Sequence, residues 1–181
     1  MKNNKNRQEL FKIIKSQAYT EGKFVLSSGK ISDYYIDCRK ITLTSKGVYL
    51  AAILILDIIK NKNIDAIGGP TIGADPMVGA ICALSKNPIK GFLVRKAAKT
   101  HGMGRQIEGP GLKKGSRVVV IDDVATSGGS IIDAITALKN AGIKIDSVIV
   151  LVDRNQGAKE NLEKLGCNFL SIFNIEEFRK K

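Results

Sequence analysis

Tryptophan is absent from the 181 residues, histidine occurs once, and cysteine occurs three times. Cys38, Cys82 and Cys167 are widely spaced and none belongs to a C-x-x-C pair. They support neither a disulfide framework nor a zinc site, and they read as reduced thiols. Aromatic residues are only 6% of the chain, and no nucleic-acid motif accompanies them. Acidic residues are outnumbered, 17 against 29 Lys and Arg, for a net charge of +12. A composition heavy in Lys, Asn and Ile, together with a polyanionic small substrate, accounts for that charge without nucleic acid as a partner. Long apolar runs are also missing. Leu50 to Leu56 is too short to cross a bilayer, so no membrane partner is expected. No apolar segment of signal-peptide type follows Met1 to Arg7, and a cytoplasmic protein is expected. What is present, 44% hydrophobic residues, suffices for one domain over 1–181 with a sizeable core.

The periodicity alternates between helix and strand. Leu10, Ile13, Ile14 and Gln17 share a face of a first helix over 6–18. Two β-rich runs flank Ser27-Ser28-Gly29-Lys30 and predict a hairpin. Tyr34 and Tyr35 are adjacent there, so in a strand they face opposite ways and at most one is core. Thr44 or Ser45 caps a helix to about Lys60 that is apolar on nearly all sides. Asp65-Ala66-Ile67-Gly68-Gly69-Pro70 is a short strand ending in a turn, with Gly68-Gly69-Pro70-Thr71 read as that turn. Asp75 is then the expected N-cap of a helix carrying Met77, Val78, Ile81 and Leu84 inward. Residues 89–94 are a strand. From Arg95 to Gly115 the chain is Gly- and Lys-rich without a clear period, and a connection of that length is usually functional or disordered. Strands at 117–121, 147–152 and 168–172 alternate with helices at 130–141, 158–165 and 175–179. That order calls for an open, mostly parallel sheet with helices on both faces.

The most informative stretch is Val118-Val119-Val120-Ile121-Asp122-Asp123-Val124-Ala125-Thr126-Ser127-Gly128-Gly129-Ser130. A buried strand ends in paired carboxylates and passes through small residues into a helix. Glycines let backbone approach an anion, and a helix N-terminus presents unpaired N–H groups and a favourable dipole. The acids repel a phosphate but suit sugar hydroxyls, a metal-bound group or a sugar carbon that turns cationic. Gly68 to Gly73, Arg95 to Arg105, Asp122 to Gly129 and Asp153-Arg154 each follow a predicted strand. In a parallel sheet they converge on one rim.

Together these segments resemble the orotate phosphoribosyltransferase family of type I phosphoribosyltransferases. The resemblance rests on Ser27 to Tyr35, Arg95-Lys96-Ala97-Ala98-Lys99-Thr100-His101-Gly102, the Asp122 to Ser130 string, and Asp153-Arg154. It implies a small N-terminal hood or hairpin on the sheet and a flexible basic loop. It implies the Mg2+-dependent reaction of orotate with 5-phosphoribosyl 1-diphosphate (PRPP) to give orotidine 5′-monophosphate and diphosphate, in pyrimidine synthesis. It also implies a homodimer whose basic loop reaches the neighbouring site. PRPP contacts then fall on Arg95, Lys96, Lys99, His101, Asp122, Asp123, Val124, Ala125, Thr126, Ser127, Gly128, Gly129 and Ser130. Orotate contacts fall on Thr126 and Arg154, with Tyr34 or Tyr35 bordering the base.

The catalytic set implied by the resemblance is Lys99, His101, Asp122 and Asp123. Mg2+ is held mainly through PRPP, without direct side-chain ligands. This fits the chemistry: carboxylates stabilise an oxocarbenium-like sugar while cations stabilise the departing diphosphate. In one departure, Ser27 stands where some members carry a PRPP-contacting Lys, with Lys23 and Lys30 as candidate substitutes. The 181 residues hold no fused decarboxylase barrel, and the monofunctional form is expected.

Overall fold

The computed structural model describes residues 2–25, 29, 31–96 and 106–180. In chain order its elements are α1 (Lys2–Gln17), β1 (Tyr19–Val25), β2 (Ile31–Ile36), α2 (Arg39–Thr42), α3 (Ser45–Ile59), β3 (Ala66–Pro70) and α4 (Asp75–Leu84). Then come β4 (Lys90–Val94), β5 (Ile107–Glu108), β6 (Arg117–Ala125), α5 (Gly129–Asn140), β7 (Lys144–Asp153), α6 (Ala158–Lys164), β8 (Phe169–Asn174) and α7 (Ile175–Arg179).

Six strands form one sheet in the order β5-β4-β3-β6-β7-β8, parallel except for β5, which runs antiparallel to β4. Alternation along β6 explains why both faces are apolar. Val119 and Ile121 join the core under α1, α3 and α4, while Val118 and Val120 join the core under α5 and α6. Val148 to Val152 on β7 are all buried, as expected for a parallel strand covered on both faces. Among the described residues no helix is long and apolar enough to cross a membrane.

Several expected boundaries move. β6 continues through Asp122 and Asp123 to Ala125, because pairing with β7 holds Val124 opposite Val152 and Ala125 opposite Asp153. Gly68, Gly69 and Pro70 lie inside β3, not in a turn, and the turn is Thr71 to Ala74. Asp75 is the first residue of α4 and Ala74 occupies the cap, with no side-chain cap bond. Leu84 is 39% exposed, and Tyr49 leaves one flank of α3 uncovered. Thr44 does cap α3, its hydroxyl accepting from the Gly47 N–H at 3.2 Å. The short strand β5 inside the basic segment has no signal in the sequence, since two residues carry no period.

β1 and β2 form a separate antiparallel hairpin. Tyr34 is 3% exposed and Tyr35 is 38% exposed, so the inward tyrosine is Tyr34. The C-terminal helix fastens this hood to the sheet. Arg179 is ion-paired with Asp33 and its guanidinium lies over the Tyr34 ring. Arg7 on α1 donates to both Glu177 carboxylate oxygens and to the Ile172 carbonyl, while Glu177 closes the capping box of α7.

Candidate active site

Strand order places the site. From β3 the chain winds one way to β4, then returns across β3 to β6 and continues the other way to β7 and β8. β3 and β6 are therefore the topological switch point, where a crevice opens beyond the strand ends. The Thr71–Ala74 turn ends β3 there, and the acid pair and the Gly-rich turn end β6.

Asp122 is 6% exposed. One of its oxygens accepts the Asp123 N–H at 3.0 Å, and the other faces the Ser130 hydroxyl at 3.4 Å. Asp123 accepts the Val124 N–H at 2.8 Å. Gly73 packs directly on both carboxylates, and a Cβ at that position would collide with an oxygen of each. The close approach of the β3 and β6 ends at the switch point thus requires glycine. Burial foremost, and then the neighbouring Asp123 charge, push the Asp122 carboxyl well above its ordinary range. Burial also raises Asp123, while the Arg39 charge pulls it partly back. Arg39 is itself held by Asp37 through two bonds of 2.8 and 3.1 Å.

A carboxyl with a raised folded-state pKa binds its proton more tightly in the folded than in the unfolded chain. Stability is then lost as pH rises from the ordinary carboxylate range through the raised pKa. At neutral pH, where the carboxyls of the unfolded chain are ionised, the raised folded-state values oppose folding. Asp122→Asn should therefore stabilise the ligand-free protein at pH 7.5 by about 0.5–2 kcal/mol, the range of single stabilising substitutions. The gain should shrink toward pH 4. Thermal melts at the two pH values check this, and a lower or pH-independent melting temperature would contradict it.

At the end of β6, Val124 and Ala125 lead through Thr126 and Ser127 to Gly128, which has φ 81° and is the N-cap of α5. A side chain at that φ is strained, so the turn depends on glycine. Ser127, Gly129 and Ser130 are exposed, and Thr126 is half-buried. The first-turn N–H groups of a twelve-residue helix open at the same point.

On the β7 side, Arg154 is 9% exposed. Its Nε donates to the Tyr34 hydroxyl at 3.1 Å, its Nη2 faces the Ser32 hydroxyl at 3.5 Å, and the guanidinium lies 4.8 Å from the Tyr34 ring centroid. Ser32 in turn donates to the Tyr34 carbonyl at 2.7 Å. Among the described residues Arg154 has no ion-pair partner. A cleft of about 480 Å3 opens beside it, lined by Ser32, Tyr34, Arg154, Asn155, Gln156 and Ile175, with Lys23, Asp33 and Arg179 among the other residues around it. That volume suits a small ligand.

Arg95 and Lys96 are exposed at the end of β4. The segment is pinned at its base by the Arg95 N–H to the Gln106 carbonyl, 2.9 Å, and by the Gln106 side chain back to the Arg95 carbonyl, 3.0 Å. Lys99, His101, Ser27 and Lys30 lie outside the described residues. The structure thus brings together the acid pair and the Gly-rich turn, and sets Arg154 beside Tyr34. It turns Tyr35 away, against Phe24 with ring centroids 5.5 Å apart. Sequence reasoning missed Ser32, Gly73 and the Asp37–Arg39 pair. Ser32 stood inside the recognised hairpin segment, but its partner Arg154 is 122 residues away.

Residues 41–175 match the phosphoribosyl transferase domain family. The chain is similar to the orotate phosphoribosyltransferase of Aquifex aeolicus, with 44% identity covering 94% of this chain and 96% of the relative. It is also similar to that of Synechocystis, with 40% identity covering 96% and 89%. Among solved structures it resembles Mycobacterium tuberculosis orotate phosphoribosyltransferase in complex with PRPP. The TM-score is 0.83 at 30% identity, covering 97% of this chain and 99% of that one.

Proposed function

The chain belongs to the orotate phosphoribosyltransferase family, and on that premise we propose how its switch-point crevice joins orotate to PRPP, releasing orotidine 5′-monophosphate and diphosphate. The observation that carries the reading is the buried Arg154 guanidinium, without a carboxylate partner among the described residues, on the same rim as a buried acid pair and a helix-opening turn. A buried cation is costly unless paired. The orotate carboxylate supplies the missing partner.

In this reading the backbone from Val124 to Gly129, with the Thr126, Ser127 and Ser130 hydroxyls, cradles the 5′-phosphate. Asp122 and Asp123 accept the ribose hydroxyls and stabilise positive charge growing at C1. Arg154 and Thr126 hold orotate, and Tyr34, not Tyr35, borders the base because its hydroxyl accepts from Arg154. Arg95, Lys96, Lys99 and His101 offset the charge of the diphosphate, with Lys99 sufficient as a cation and His101 able to pass it a proton. Two adjacent carboxylates are hard oxygen donors, so the site suits Mg2+. The ion would be carried largely by PRPP beside Asp122 and Asp123, and it would stabilise the leaving diphosphate.

The working form in this proposal is a cytoplasmic homodimer whose basic segment serves the neighbouring site. Support comes from apolar side chains left uncovered from α2 to α4, namely Leu43 at 70%, Tyr49 at 49% and Ile72 at 64% exposure.

The test is loss of orotate absorbance with PRPP and Mg2+, in competition with hypoxanthine, adenine and uracil. Orotate turnover in preference to the other bases is expected. Purine turnover without orotate turnover would overturn the assignment of the base.

A further inference from the structure

We propose that Asn161 is a positioning residue for the phosphate cradle, holding the Ser127–Gly128 peptide so that the Gly128 N–H faces the 5′-phosphate. The inference rests on the reading of residues 124–129 as that cradle. Asn161 lies on α6, and its Nδ2 donates to the Ser127 carbonyl at 3.0 Å. In a planar trans peptide the C=O and the following N–H point in opposite directions. Drawing the Ser127 carbonyl toward α6 therefore turns the Gly128 N–H to the side away from α6. Two residues earlier, at the end of β6, the same device recurs: the Arg154 N–H donates to the Ala125 carbonyl at 2.9 Å, which turns the Thr126 N–H. Two alternate carbonyls of the cradle are thus gripped from outside by the Arg154–Asn161 segment.

The grip has work to do, because Gly128 at φ 81° has no side chain to define its peptide planes. Its Cα side rests on Ala158 and Leu162 of α6, where an added Cβ would lie 3.6 Å from each. Asn161 is placed in turn by the first turn of α6, its N–H donating to the Gly157 carbonyl at 3.1 Å. The same short segment begins at the orotate-side Arg154 and ends at the phosphate-side Asn161.

The test compares Asn161→Ala and Asn161→Asp with Lys159→Ala, an exposed control on the same helix, and Ser127→Ala, a direct change in the cradle. Asp keeps the shape of Asn but replaces the donor by an oxygen. Calorimetry gives the dissociation constants of PRPP, ribose 5-phosphate and diphosphate, kinetics gives the orotate KM, and melting gives the folded state. Both Asn161 variants should weaken PRPP and ribose 5-phosphate by about threefold to tenfold, the worth of one net hydrogen bond. Diphosphate affinity, the orotate KM and the melting temperature should stay near those of the Lys159→Ala control. A packing role would spare the Asp variant or lower the melting temperature, and either result overturns the inference. If Ser127→Ala weakens ribose 5-phosphate and the Asn161 variants do not, Asn161 loses its role and the cradle stands. If none of the three variants weakens it, the cradle reading fails and the inference fails with it.

Discussion

Arg154→Met will leave PRPP affinity nearly unchanged and lower kcat/KM for orotate by about a hundredfold to several thousandfold, the cost of breaking a buried charge pair. Met retains the length and apolar stem of arginine, so the packing on Tyr34 is largely preserved. What disappears is the guanidinium that reaches the Tyr34 hydroxyl and Ser32 and has no carboxylate partner among the described residues. The ligand-free variant should not melt earlier than the parent, because it no longer buries an unpaired cation. Uracil separates this account from general damage. It lacks the carboxylate, so whatever turnover it supports should fall far less than that of orotate. An equal loss for both bases, or an unchanged orotate kcat/KM, would remove Arg154 from the carboxylate site.

Mixing Lys99→Ala chains with Asp123→Asn chains should restore activity that neither preparation has alone. In the proposed mechanism each substitution removes one charge that acts on the transition state, and each should lower turnover by about a hundredfold to a thousandfold. Lys99→Ala should lower kcat much more than it weakens PRPP, if its cation acts mainly on the departing diphosphate. In the proposed dimer Asp123 belongs to its own subunit's site and Lys99 to the neighbour's. A mixed dimer then carries one doubly damaged site and one intact site. The experiment requires subunit exchange verified by mass, followed by the orotate assay. No recovery after verified exchange would argue against sharing of the basic loop between subunits. An equal loss of PRPP affinity and of turnover in Lys99→Ala would contradict its role in the transition state.

The acid pair links stability to function through the same charges. Gly73 seals Asp122 and Asp123 from water on one side, and burial raises both carboxyls. Burial disfavours their charged form and so opposes folding at neutral pH, while in the proposed mechanism that charge faces a sugar carbon that becomes positive. Asp122→Asn should accordingly gain stability while losing turnover, the trade-off expected where a site stores unfavourable electrostatics.

The sequence by itself determined the features whose causes are local. The apolar run from Val118 to Ile121, the continuous run on β7 and the helical spacing of Ile131, Ala134, Ile135 and Leu138 each state their element within a few residues. The stretch proposed as the phosphate cradle was recognisable as a β–α turn for the same reason. Strand, acids, small residues and helix start are consecutive, so one β–α turn carries the signal. Where local signals misled, pairing to a neighbour won. β6 runs on through Asp122 and Asp123 because β7 pairs with it there, and Gly68-Gly69-Pro70 stay in β3 because β4 runs in register beside them.

Tertiary structure alone decided the juxtapositions. Period two says that Tyr34 and Tyr35 face opposite ways, but only the docking of the hood on α7 and Arg154 says which faces in. Arg154 meets Tyr34 across 120 residues and Asn161 meets Ser127 across 34. Gly73 meets the acids because β3 and β6 are neighbours in the sheet. No segment encodes such contacts in its own pattern. They follow from strand order and from how the layers close, which is set by the packing of the whole chain.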